Sequence, residues 1–186
     1  MTGSTLPAIE RSISVSWDPD AAFRRFTADF ASWWPSATHS IGGKRVKRVV
    51  FETHLGGRIY EEHLDGRRFL WGRILAWDPP RHVRFSWHPS REESTAQDVD
   101  LHFAPEGTGT RLTLRSSGWE RMGKNARRER RGYEFGWGTV LDTFAGVRSG
   151  RLVVFKIIAS MMLVVEALRG GVDASIARAR GEITAR

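Results

Sequence analysis

The chain has 186 residues, 40% hydrophobic and 27% charged, enough for one ordinary globular core with an appended segment. It contains no cysteine, which excludes disulfides, thiolate metal sites and cysteine nucleophiles. The formal net charge is +8, and the opening stretch MTGSTLPAIERS has neither a basic flank nor an apolar run, so no secretory leader is expected and the expected location is cytoplasmic.

In the stretch IERSISVSW, residues Ile9, Ile13, Val15 and Trp17 fall on one side, which predicts a half-buried first strand. Asp18 and Pro19 supply an N-cap and a first-turn proline, and Ala22, Phe23, Phe26 and Phe30 follow at helical spacing. Two short helices are therefore expected after the strand. Pro35 must stop them, because the residue before a proline is pushed out of helical geometry. At that irregular end the adjacent Trp33 and Trp34 can diverge. Trp33 is expected to stay with the helical stripe and Trp34 to turn toward a cavity mouth, under a loop that carries His39.

From Lys44 to Ser117 the pattern changes to strands. RVKRVVFETH, RIYEEHL, RRFLWGRILAW, RHVRFSWH, TAQDVDLHFA and TRLTLRSS are joined by short turn signals, which predicts an antiparallel meander. Gly56 and Gly57 mark the first hairpin. If they are its two central residues, Glu52 faces Glu61; with a three-residue loop Glu52 faces Tyr60 instead. Asp78-Pro79-Pro80 forms a turn that cannot continue a ladder.

A long helix is predicted from Asn125 to Val147, with Tyr133, Trp137, Val140, Leu141 and Phe144 on one apolar stripe. Gly132, Gly136 and Gly138 lower its propensity and suggest close approach to another backbone. Strand, short helices, six strands and long helix together make an α+β domain, a curved antiparallel sheet wrapped around the long helix. The run KNARRERR before that helix carries five basic residues and one acid and reads as a solvated helix start. No nucleic-acid-binding motif accompanies it, so no nucleic-acid partner is expected.

Leu152 to Leu168 is apolar on every face but interrupted by Lys156 and Glu166, too short for a membrane span. It predicts an extra helix, buried or used in a homodimer, with membrane-surface association as the weaker alternative. The expected organisation is thus a domain over 1–147 and an extension over 148–186.

AFRRFTADFASWWPSATHSIGG, VFETHLGGRIYEEHLDG, WGRILAWDPPRHVRFSWH, DLHFAPEGTGTRLTLRSSGWE and GYEFGWGTVL, in that order, resemble the SRPBCC (START-like) superfamily. Within it they are most similar to the bacterial branch resembling the C-terminal domain of the activator of the heat-shock-protein-90 ATPase. The resemblance covers about Ile9 to Gly146. It implies a helix-grip fold around a deep cavity, whose relatives bind lipids, polyketides, hormones and other apolar molecules, some acting as cyclases. The activator carries a further N-terminal domain that is not matched here, so chaperone stimulation is not expected.

Eight tryptophans are a high count, and aromatic walls with a few directed polar groups are what small-molecule sites require. The expected lining is Trp34, His39, Glu61, Trp71, Trp87 and Trp137, with Glu61 and His39 orienting a hydrophobic or amphipathic small molecule and Trp77 at the packing or rim. Non-catalytic binding is the leading reading. One alternative is a cyclase- or hydrolase-like enzyme in which Glu61, its pKa raised by burial, acts as acid or base. The other is a co-chaperone-like or regulatory interaction module that uses the basic run and the apolar tail. His39, His54 and His63 lack metal-ligand helix spacing, and neither a serine elbow nor a phosphate loop is present, so no metal or cofactor is expected.

Overall fold

The computed structural model describes residues 6–147; the expectations for the 148–186 extension, including a dimer through 152–168, lie outside the described residues. The order is β1 (Ile9–Val15), α1 (Pro19–Thr27), α2 (Phe30–Trp33), α3 (Ser36–His39), β2 (Val46–Phe51), β3 (Arg58–His63), β4 (Arg68–Asp78), β5 (His82–Trp87), β6 (Gln97–Glu106), β7 (Gly109–Ser117) and α4 (Ala126–Phe144). The strands form one sheet in the order β1-β7-β6-β5-β4-β3-β2, with every pairing antiparallel. The meander and the long helix are as the sequence predicts. Among the described residues, no helix is long and apolar enough to cross a membrane.

Local chemistry explains the entry to the fold. The Asp18 carboxylate accepts from the Ala21 amide at 2.8 Å, capping α1, with Pro19 in its first turn. Phe23 and Phe26 then face inward with Ala22 and are buried. Pro35 ends α2 as expected, but its fixed φ of −76° also starts a new turn. Thr38 and His39 donate backbone N–H groups to the Pro35 carbonyl at 3.0 and 2.9 Å. His39 therefore closes the one-turn helix α3, where a loop was expected.

The hairpin between β2 and β3 takes neither expected register. The last ladder pair is Phe51 with Ile59, and Glu52 lies across from Arg58. The reason is electrostatic: the Glu52 carboxylate binds the Arg58 amide at 2.8 Å and its guanidinium at 2.8 Å. Those bonds hold the Glu52 carboxyl down to about 2 and fix a wider turn in which His54 is exposed. Glu61 consequently pairs with Val49, and no facing carboxylate pair forms.

Two slips in β4 bend the sheet, since an extra residue on one strand kinks it and sharpens its twist. Against β3, Ile59 pairs with Gly72 and Tyr60 with Leu70, leaving Trp71 as the extra residue. Against β5, Ile74 pairs with Phe85 and Ala76 with Arg84, leaving Leu75 extra. At Gly72 a Cβ would overlap the Ser86 carbonyl of the neighbouring strand, so only glycine permits this close approach. On the concave face Val83, Phe85, Val99, Leu101, Phe103, Leu112 and Leu114 form the floor of the core. Phe144 of α4 closes it, its ring 5.0 Å from Trp33, 5.2 Å from Phe26 and 5.5 Å from Trp17. The close-approach expectation for two α4 glycines is not met: a Cβ at Gly132 or Gly136 would meet nothing within 4 Å among the described residues.

Candidate functional site

The site begins at the Trp33-Trp34 pair. Trp33 is the last residue of α2, and Trp34 has left the helix, with φ −58° and ψ 128°. That turn gives the two indoles different neighbours, although their rings keep an edge contact at 5.9 Å. Trp33 packs on Phe26 at 4.9 Å and donates its indole N–H to the Arg25 carbonyl at 2.8 Å. Trp34 instead meets Trp71 at 5.3 Å and Trp87 at 5.7 Å. Trp71 and Trp87 are 5.4 Å apart, and Trp137 of α4 lies 5.4 Å from Trp87. One contiguous cluster thus joins the end of α2, at its C-cap Trp34, with β4, β5 and α4. All four side chains are buried, Trp71 completely.

The indole nitrogens set this cluster apart from an ordinary core. Those of Trp34, Trp71 and Trp137 are buried and have no hydrogen-bond partner among the described residues. A buried donor left dry costs about 1–3 kcal/mol, so three such donors on one aromatic surface go against the usual pairing of buried polar atoms. Trp119 shows the ordinary solution, with its N–H on the Ser116 carbonyl at 3.0 Å.

His39 flanks the cluster, its ring 6.3 Å from Trp34 and its Nδ1 2.9 Å from Thr38 Oγ1. Burial lowers its pKa to about 4, so it is a neutral imidazole at physiological pH. Glu61 is fully buried but serves a different contact. Its oxygens accept from the Ile41 amide at 2.8 Å and the Gly42 amide at 2.7 Å, and one of them also bonds His63 Nε2. A Cβ at Gly42 would overlap the His63 ring, so the segment after α3 lies flat on this pair. The next residue, Glu62, points to the opposite face by strand alternation, where Arg48 at 2.9 Å, with Lys47 and Arg68, holds its carboxyl near 2.

Of the expected lining, the structure brings Trp34, Trp71, Trp87 and Trp137 together with His39 at their edge, while Glu61 clasps the 41–42 backbone. Trp77 is half-buried against Phe23 at 5.0 Å and Phe51 at 6.5 Å, a packing position. Sequence reasoning missed a polar end beside Trp87. Tyr133 interacts with the Trp87 indole and with Arg91, and burial raises its pKa despite the nearby guanidinium. Arg91 lies 5.3 Å over the Tyr133 ring and donates to Gln97 Oε1 at 2.8 Å. Two signals were available for part of this: Tyr133 and Trp137 are four apart on one helix, and Gln97 pairs directly with Trp87. The Arg91 contact depends on the path of the Pro89–Arg91 loop, which no periodicity encodes.

A curved antiparallel sheet closed by a C-terminal helix over an aromatic interior defines the helix-grip class. Residues 17–147 match the family profile described as Activator of Hsp90 ATPase homolog 1-like protein, and the chain belongs to that family. No curated protein matches it. Among solved structures it is similar to the anthrahydroquino-gamma-pyrone synthase Txn09 complexed with SUM, at 28% identity and TM-score 0.54 over 76% of this chain and 97% of that one. CalU16 from Micromonospora echinospora shares 20% identity at TM-score 0.54, over 85% and 86% of the two chains. The Aha1 dimer from Colwellia psychrerythraea shares 12% at TM-score 0.52, over 77% and 100%. The last two likenesses are likenesses of fold.

Proposed function

We propose that this protein binds a hydrophobic or amphipathic small molecule at the cluster of Trp34, Trp71, Trp87 and Trp137, and that the molecule is flat and carries oxygen acceptors. The observation that carries this reading is the set of three buried indole donors that have no hydrogen-bond partner among the described residues. A hydrocarbon would leave them unpaired, whereas carbonyl or hydroxyl oxygens would satisfy them and gain the stacking surface as well. The 28% identical relative, a synthase named for a polycyclic oxygenated product, supports the same ligand chemistry. His39, a neutral imidazole, stands at the edge of this cluster, its ring 6.3 Å from Trp34.

Binding is preferred to catalysis here because the carboxylate first considered as acid or base is already engaged. Glu61 accepts from two backbone amides and from His63, a set of bonds that holds a chain segment in place. Tryptophan fluorescence tests the reading directly. Anthraquinone is expected to quench or shift the emission and to bind more tightly than anthracene, which has the same ring outline without oxygens. Flat titrations across a broad library of lipids and aromatics, together with no co-purified small molecule in native mass spectrometry, would sink it.

A further inference from the structure

The convex face of the sheet carries a second constellation, on the side opposite the tryptophans. His82 of β5 and His102 of β6 are directly opposed in the ladder, and their rings stack at 4.4 Å with planes 21° apart. Asp100 lies two residues from His102 on the same face, with its Oδ1 3.1 Å from His82 Nε2. One ligand atom from each of the three lies within 4.8 Å of the others. We propose that His82, Asp100 and His102 form a surface site for a borderline divalent cation, Zn2+ first among them.

The geometry is close to what such an ion needs. Metal–nitrogen and metal–oxygen bonds of about 2.0–2.2 Å at tetrahedral angles put neighbouring ligand atoms about 3.3 Å apart. The His82–Asp100 edge is already 3.1 Å, so the ion takes the place of the proton shared between Nε2 and Oδ1. His102 is exposed, and rotation of its ring out of the stack with His82 closes the remaining edges. Arg84 is 3.8 Å from the other carboxylate oxygen, Oδ2, which keeps Oδ1 turned toward His82 in the way outer partners orient ligating carboxylates. The same guanidinium charge weakens the site and sets it below a buried structural zinc. Two imidazoles with one carboxylate favour Zn2+, Co2+ or Ni2+ over Mg2+ and Ca2+, which require oxygen-rich shells. Water completes the coordination on this open face.

The test titrates the full chain with Zn2+ by calorimetry and with Co2+ by visible absorption, with circular dichroism confirming the fold of each variant. One saturable equivalent is expected, with a tetrahedral Co2+ spectrum. His82→Ala and His102→Ala should each weaken binding at least about tenfold, and Asp100→Asn by a similar factor. His54→Ala removes the other exposed histidine and should leave the affinity within about twofold. If His82→Ala does not fold, His102→Ala at its exposed position decides. No saturable binding up to about 1 mM metal, or binding that survives His102→Ala, overturns the proposal.

Discussion

His39 is a residue whose charge state is set by its burial. Burial holds its pKa at about 4, against an unfolded value of about 6.5. The unfolded chain therefore takes up a proton below about pH 6.5 that the folded chain refuses until about pH 4. Stability present at neutral pH is lost as the pH falls through that window, by at most about 3 kcal/mol from this group. His39→Gln should abolish that part of the loss: comparing urea midpoints at pH 7.5 and 4.5, the drop in the variant should be smaller than in the parent. Equal drops would show that His39 does not titrate differently on folding. Glu61 calls for another substitution. Gln at this position keeps the shape but turns its NH2 group toward one of the two donors, the amide of Ile41 or that of Gly42, and removes the charge from the bond to the other. Loss of charge-assisted bonds in a buried network should cost about 2–4 kcal/mol and speed amide exchange at those two residues. Unchanged exchange at Ile41 and Gly42 would remove the clasp from the account.

At the scale of elements, α4 carries more glycine than its packing requires. A Cβ at Gly132 or Gly136 meets nothing among the described residues, and neither lies in the positive-φ region. Each glycine lowers helix stability by about 0.8–1 kcal/mol relative to alanine. Gly132→Ala with Gly136→Ala should therefore raise stability by about 1–2 kcal/mol, read as a higher urea midpoint at an unchanged slope. A loss instead would place some other part of the chain against that face. Gly72 contrasts with both, because alanine there strikes the Ser86 carbonyl and should loosen the β4–β5 ladder. This contrast shows what the sequence could and could not reveal. Strand alternation and the Tyr133-Trp137-Val140-Leu141-Phe144 stripe were legible because burial imposes a period on residue choice. Pro35 made the parting of Trp33 and Trp34 legible, since a proline constrains its neighbour wherever it stands. The bulge at Trp71 and the Glu52–Arg58 register were not legible, because each is settled by one contact across strands that leaves no periodic trace. For the same reason glycines that permit close approach and glycines that face open space look alike in a sequence.

Across the whole molecule, the tryptophan cluster is where folding and binding draw on the same atoms. Four indoles, from the C-cap of α2 and from β4, β5 and α4, fill the interior, and as plain packing this is favourable, each large aromatic burial contributing about 1.5–3 kcal/mol. Three of those indoles also hold a donor away from any acceptor among the described residues, at a cost that a fold optimised only for stability would avoid. Departures from local rules of this kind concentrate at functional sites. Replacing Trp137 separates the two roles. Trp137→Ala removes both the packing and the donor and should cost about 3–5 kcal/mol. Trp137→Phe gives up some volume but also removes an unpaired buried N–H, so the two effects offset and the stability change should stay within about 1.5 kcal/mol. Affinity should respond differently. For anthraquinone the Phe variant should bind roughly tenfold more weakly, the value of one hydrogen bond of about 1.4 kcal/mol, while anthracene should bind both proteins alike. Equal weakening for both ligands would mean that Trp137 contributes only shape, and no weakening for either would place the ligand elsewhere in the fold.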